Sequence, residues 1–295
     1  MADEPFHTDR LVIIGPGMLG TSIALGLKRR GFAGRITALG RSRATLDQAG
    51  QTGAYDALTD DPAEALADAT LAVVAVPLSG FRAVFAQVAE HGPPGLIVTD
   101  AGSTKASVIA DARACLADLS RVIGAHPMAG SEQAGPLAAD ADLFVDKPCV
   151  LTLAEDDDAD AVAQVRALWR TLGMSILTMT PEEHDRQVAV VSHLPHLAAV
   201  LLVQTADQLG GLDLASTGYR DTTRLASSNP PMRADILLAN RDAVAEALDR
   251  FIARCADLRD QLNHADRDTL LGLLQDAAEA RDAWLSARPG LDAGG

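Results

Sequence analysis

The chain has 295 residues, of which 48% are hydrophobic, enough for about two domains with sizeable cores and too apolar for a disordered chain. Only 3% are aromatic, so the core is aliphatic, and a net charge of -15 argues against nucleic acid and anionic membrane surfaces as partners. No apolar run approaches the ~20 residues of a bilayer span, residues 1–10 are polar and lack a leader pattern, and Cys115, Cys149 and Cys255 are too scattered for a disulfide framework or metal cluster; a cytoplasmic protein is expected.

Leu11-Val12-Ile13-Ile14 reads as a buried strand ending at Gly15, followed by a helix over Met18–Arg30. Further strands are predicted at 35–39, 71–76, 96–99 and 122–125, with helical stretches such as 107–119 between them. Strand–helix alternation of this kind gives a parallel, doubly wound α/β sheet covered on both faces. Two later strands, 149–153 and 175–179, flank an amphipathic helix over 159–172. From Thr180 the pattern turns all-helical: an apolar stretch 184–209, a polar interruption 210–228, then Asn229-Pro230 as N-cap and first helical position. Apolar residues at three- and four-residue spacing run from Ile236 to Leu262 as one long helix, and a last helix covers about 265–285. The expected organisation is therefore a Rossmann-type domain, 1–179, and an all-α domain, 180–295. Its apolar helices suit pairing with a second copy, a homodimer.

Gly15-Pro16-Gly17-Met18-Leu19-Gly20 is G-x-G-x-x-G between a strand and a helix, the context that makes it a dinucleotide fingerprint. The first glycine permits the turn, the second lets the pyrophosphate approach, and Gly20 lets helix and strand pack. Ligands of open α/β sheets lie at strand C-termini, so Val76, Pro77 and Ala101 join the cofactor set. An NAD enzyme carries Asp or Glu about 20 residues on, at the end of the second strand. Here the segment is Leu39-Gly40-Arg41-Ser42-Arg43, two guanidiniums around a hydroxyl, which suits a 2′-phosphate: NADP is expected over NAD. The alternative is a pair of exposed loop arginines.

Four further segments carry chemistry-bearing side chains: Asp100 to Lys105, Gly124 to Glu132, Ser192 to His196, and Tyr219 to Arg224. Each has a plainer explanation. Ser103 or Thr104 suits a helix N-cap, His126 a buried turn histidine, and His193 with His196 a packed pair on one helix face or half of a metal site, though no acidic or Cys cluster supports a metal. Asp221 and Arg224 suit a local ion pair. A protein this acidic needs a local positive cleft to admit anions, and Arg41, Arg43, Lys105, Arg220 and Arg224 are candidates to form it.

The set G-P-G-M-L-G, D-A-G-S-T-K, G-A-H-P-M-A-G-S-E, S-H-L-P-H and Y-R-D-T-T-R-L-A-S, in that order, resembles the prephenate/arogenate dehydrogenase family of tyrosine biosynthesis over about residues 10–285. The resemblance implies oxidative decarboxylation of a cyclohexadienol dicarboxylate, prephenate or arogenate, with hydride leaving C4 for the nicotinamide. It implies His126 as acceptor of the C4 hydroxyl proton and Ser103 as holder of that hydroxyl. It further implies Arg224 as a carboxylate clamp, with Asp221 and Glu132 orienting it, and Ser131, His193 and His196 lining the pocket. Arg220 is implied to reach the substrate side chain across a dimer interface. Arg233 departs from the family, which often has an aromatic residue in that stretch. The chain also ends too soon for the family's optional regulatory domain, so any feedback is expected at the active site. Two other readings stay open: another two-domain NADP-dependent hydroxy-acid or imine oxidoreductase, and a non-catalytic NADP(H) sensor.

Overall fold

The structure, a computed structural model, describes residues 6–130, 133–264 and 267–287. The strands are β1 (Arg10–Ile14), β2 (Arg35–Leu39), β3 (Ala57–Thr59), β4 (Leu71–Val74), β5 (Ile97–Asp100), β6 (Val122–Pro127), β7 (Pro148–Thr152) and β8 (Ser175–Met179). They form one sheet in the order β3-β2-β1-β4-β5-β6-β7-β8. All neighbours are parallel except β6 and β7, which run antiparallel with His126 opposite Val150. A wholly parallel sheet is thus corrected by one reversal, which falls at the strand that carries His126. The chain leaves β1 for β2 on one side and crosses to β4 on the other, so the crevice of the doubly wound sheet opens between β1 and β4.

The continuous apolar runs have a physical reason. In β1, Leu11 and Ile13 enter one core and Val12 and Ile14 the other. Side chains alternate across a strand, and here both faces are dry because α1 (Met18–Arg29), α2 (Arg43–Gln51), α3 (Pro62–Leu66), α4 (Phe81–His91), α5 (Ala106–Cys115) and α6 (Ala159–Thr171) cover the sheet. Each fully buried aliphatic side chain contributes about 1.5–3 kcal/mol of transfer free energy. Trp169 of α6 meets Phe144 edge to face at 5.8 Å between centroids, one of the few aromatic contacts in an aliphatic interior.

After β8 come α7 (Pro181–Val188), a wide π-type turn at Ala189–His193, and α8 (Leu194–Leu209). Pro195 has no N–H to give the ladder, and the wide turn lies just ahead of it. Together these pieces make one helix, Pro181–Leu209, with mean hydropathy 1.6 over its most apolar stretch; by length and composition it suffices to cross a membrane, and 22% of that stretch is buried. The expectation that no run approaches this length is therefore corrected: the scattered Ser192, His193 and His196 interrupt the apolar run, yet the mean stays high because the residues around them are strongly apolar.

α9 (Thr217–Thr223) lies within the polar interruption. α10 (Pro230–Ala239) opens as expected, the Asn229 side chain accepting from the Met232 amide at 3.1 Å. The single long helix expected from Ile236 is instead two, because the chain breaks at Asn240 before α11 (Arg241–His264). Asn240 is buried, and its amide is spent on inward hydrogen bonds. α12 (Arg267–Ser286) follows. The chain forms two compact units, Met1–Ala243 and Val244–Gly295. The first joins the sheet with the helices as far as Ala243; strand alternation itself stops at Met179.

Candidate active site

At the end of β1 the three fingerprint glycines have three different surroundings. Gly15 has φ +96°, and a Cβ there would stand 2.6 Å from the Ala75 carbonyl oxygen and 2.8 Å from Val76 Cγ1. A Cβ on Gly20 would meet the Gly15 carbonyl oxygen at 2.4 Å. Gly17 faces open space, with nothing within 4 Å. The first helical bond of α1 is Thr21 N to Gly17 O at 2.9 Å. The amides of Met18, Leu19 and Gly20 therefore precede the ladder and, among the described residues, are left open to a bound anion. This turn, opening and unspent amides fit the pyrophosphate of a dinucleotide. Val76 lines the same turn, Pro77 is exposed beside it, and the Ala101 amide ties β5 to Val74 O at 2.9 Å.

Beyond β2, Arg41, Ser42 and Arg43 are all exposed. Ser42 is the N-cap of α2, its Oγ accepting from Thr45 N at 3.4 Å, and Arg43 pairs with Asp47 at 3.0 Å. Arg41 carries no ion pair among the described residues.

The loop after β5 holds Ser103, half-buried, then Thr104 and Lys105, both fully buried. Thr104 Oγ1 and Ser107 Oγ share a hydrogen bond at 2.7 Å. Neither Ser103 nor Thr104 caps α5. That duty falls to Asp185 of α7, whose Oδ1 accepts from Lys105 N at 2.8 Å and Oδ2 from Ala106 N at 3.0 Å. Lys105 is also a correction to the expected cleft of cations. Its ammonium is buried in an ion pair with Asp100 and donates to the Ala125 carbonyl. Asp100 is held in turn by the amides of Gly102 (2.8 Å) and Ala125 (3.0 Å). Lys105 thus anchors the strand end that carries His126 and offers no charge to an entering anion.

His126, half-buried near the end of β6, places Nδ1 2.8 Å from Nε2 of His184 in α7. The two rings meet edge to face with centroids 5.0 Å apart. Nδ1 of His184 lies 2.8 Å from Asp185 Oδ1. Burial first, then the nearby His184, Lys105 and His193, push the His126 pKa well below its ordinary value, so this ring is a neutral imidazole in the folded protein. His193 is buried in the wide turn, and burial is the main cause that lowers its pKa to about 4, the neighbouring Asp185 opposing. Asn240 Nδ2 reaches both Asp185 O (2.7 Å) and His193 Nδ1 (3.2 Å).

His196, one turn on, directs Nδ1 to Ser192 O at 2.9 Å and keeps Nε2 buried with no hydrogen bond among the described residues. Its pKa is lowered by burial and by the Arg233 and Arg224 guanidiniums nearby. Arg224 is exposed just after α9, and Arg233 is half-buried with its Nε unpaired among the described residues. The structure therefore gathers His126, His193, His196 and Arg224, and adds Arg233. Arg220 and Asp221 pair with each other at 2.9 Å on an exposed stretch. Ser131 and Glu132 lie outside the described residues.

Sequence reasoning missed His184, Asp185 and Asn240. The signals were a His-Asp pair at the polar start of an apolar helix and an asparagine interrupting a regular apolar repeat. Neither names its partner, because the contacts span 47 to 80 residues of chain.

The model of the prephenate dehydrogenase nucleotide-binding domain matches residues 23–178, and that of the prephenate dehydrogenase dimerization domain matches residues 180–276. The chain belongs to the prephenate dehydrogenase family. It is 32% identical to the prephenate dehydrogenase of Bacillus subtilis over 93% of this chain and 76% of that protein. It is also 32% identical to the cyclohexadienyl dehydrogenase of Zymomonas mobilis, over 92% of this chain and 94% of that one. A crystal structure of prephenate dehydrogenase from A. aeolicus, in complex with hydroxyphenyl propionate and NAD+, superposes with TM-score 0.89 at 28% identity, covering 95% of this chain and 99% of that one.

Proposed function

We propose that this protein is an oxidoreductase that carries out the oxidative decarboxylation of prephenate, arogenate or both, with NADP preferred over NAD. The observation that carries the reading is His126, a neutral imidazole bonded to His184 at 2.8 Å, at the strand end beside the Ser103 loop, in a chain of this family. A neutral ring is the state able to accept a proton. The fingerprint glycines and the amides of Met18, Leu19 and Gly20 hold the cofactor pyrophosphate, with Val76, Pro77 and Ala101 along the crevice. The chemistry supplied by the bound cofactor is acceptance of the C4 hydride. His126 takes the C4 hydroxyl proton as the ketone forms, and Ser103 holds the same oxygen. Arg224 clamps a substrate carboxylate, with Ser131, Glu132 and Asp221 as supporting residues and His193 and His196 along the wall. Two carboxylates on the substrate suit a pocket whose nearby charges are Arg224 and Arg233. Arg220, exposed, is the residue available to a side-chain carboxylate from a partner subunit.

Arg41 supports the NADP preference. It is the guanidinium after β2 left over once Ser42 has capped α2 and Arg43 has paired with Asp47. A homodimer is supported by the family description of residues 180–276 as a dimerization domain and by exposed apolar side chains such as Val191 in the first unit and Phe251, Ile252 and Trp284 in the second. The helix Pro181–Leu209 is read in the same way, as a protein-facing surface of a cytoplasmic enzyme.

The deciding assay is reduction of NADP+ and NAD+ by purified protein with prephenate and with arogenate. Turnover with either substrate, lost by at least about a hundredfold in His126→Ala, is the expected result. No turnover with both substrates overturns the reading and leaves the NADP(H) sensor. For Arg41→Ala, kcat/KM falls about tenfold with NADP+ and holds with NAD+; a higher wild-type kcat/KM with NAD+ removes Arg41 from the cofactor site.

A further inference from the structure

The hydrogen bonds around His126 form a chain in which each proton has one permitted place. Asp185 is buried, and its carboxylate accepts from two backbone amides, Lys105 N and Ala106 N, which only donate. A carboxylate held this way has no proton to give, so the contact to His184 Nδ1 places the proton on that nitrogen. Nε2 of a neutral His184 is then a lone pair, and it faces His126 Nδ1 at 2.8 Å. The proton of that contact must come from His126 Nδ1. This leaves His126 Nε2 bare, the atom that receives a proton.

The same carboxylate residue fixes a second ring in the opposite sense. Asp185 O is a carbonyl and only accepts, so the Asn240 atom 2.7 Å away is the amide nitrogen. The second hydrogen of that nitrogen goes to His193 Nδ1. His193 Nδ1 is therefore an acceptor, and its proton sits on Nε2. The buried pair Asp100–Lys105 completes the surroundings of His126, and its bonds among the described residues go to each other and to backbone groups, not to these rings.

We infer that His184, Asp185 and Asn240 are positioning residues that hold His126 and His193 in opposite tautomers, the first presenting an acceptor nitrogen and the second a donor. The inference deepens the proposed dehydrogenase reading, since it assigns the acceptor to the proton of the C4 hydroxyl. The protons balance without any other reactant. The hydroxyl proton passes to His126 Nε2, and the Nδ1 proton of His126 is free to move to His184 Nε2. The positive charge then lies on His184, against the Asp185 carboxylate, as hydride and CO2 leave the substrate. None of the three residues needs to touch the substrate.

The test reads tautomers directly and does not require turnover. Nitrogen NMR of the full-length protein labelled with 15N-histidine, with no ligand added and near pH 7.5, distinguishes protonated from bare ring nitrogens; His126→Gln and His193→Gln assign the signals. Protonated Nδ1 with bare Nε2 at His126, and the reverse at His193, is the expected result. A protonated Nε2 at His126 or a bare Nε2 at His193 overturns the inference, whether or not prephenate or arogenate is turned over. The second arm is His184→Phe, which keeps a ring of similar size and removes the bond. His126 loses its single tautomer, and kcat falls about tenfold or more while KM for the cofactor holds. An unchanged His126 spectrum in a folded His184→Phe protein also overturns it. Absence of turnover by the wild type with an intact tautomer pattern sinks the proposed function alone.

Discussion

Replacing Lys105 by methionine removes one charge from a pair that is out of contact with water. Lys105 is 0% exposed and Asp100 2%. The substitution preserves length and apolar volume, so packing changes little. What changes is electrostatic. Asp100 keeps two backbone donors, Gly102 N and Ala125 N, and loses its counter-ion, while the Ala125 carbonyl loses its ammonium partner. Breaking a buried pair from one side costs about 3–5 kcal/mol, because the orphaned charge stays buried. At a few degrees per kcal/mol for a chain of this size, the melting temperature falls by roughly 10 °C. Chemical denaturation at unchanged m separates this loss from a change in compactness. The double variant Lys105→Met with Asp100→Asn drops the charge and keeps an acceptor for one of the two amides, which bond different carboxylate oxygens, so it recovers part of the loss. A cost below about 1 kcal/mol for the single variant, or no recovery in the double one, refutes the reasoning: the pair would then behave as a hydrated surface contact.

Two glycines at the start of the same helix separate folding from binding. Gly20→Ala forces a Cβ to 2.4 Å from Gly15 O and lowers stability by about 1–3 kcal/mol; Gly17→Ala meets open space, so it melts like wild type but raises KM for the cofactor. Equal melting of both variants contradicts the packing argument. The histidines set the acid limb of stability. The folded pKa of His193 is about 4 against an ordinary value near 6.5, so between those values the unfolded chain binds more protons and stability rises with pH. Lowering the pH from 7 to 5.5 therefore lowers the melting temperature of wild type more than that of His193→Gln; identical losses remove His193 from that account. The proposed dimer is tested by Phe251→Asp with Ile252→Asp, for which light scattering gives monomer mass where wild type gives dimer mass.

Continuous apolar runs made β1 and β4 readable, because a strand covered on both faces cannot alternate. β3 has three residues, and α2 and α3 are short elements, so their periodicity is too brief to stand out from loop. The antiparallel β7 reads like its neighbours, since strand direction leaves no mark on composition. The break at Asn240 was hidden by apolar spacing that continues on both sides of it. The glycine fingerprint was legible as a local pattern that names its own ligand. The role expected of His126 came from the family resemblance and not from its own neighbourhood, because what surrounds it comes from α7, the wide turn and Asn240. Lys105 misled: a lysine in a polar segment counts as surface charge until a buried Asp100 claims it.

Asp185 anchors two neighbours at once: it starts α5, directly downstream of Ser103, and it steadies His184 behind His126. Mutational drift at this position cannot retune one without disturbing the other. A laboratory campaign to broaden substrate scope should therefore find residue 185 frozen, with adaptive changes accumulating around positions 224 and 233.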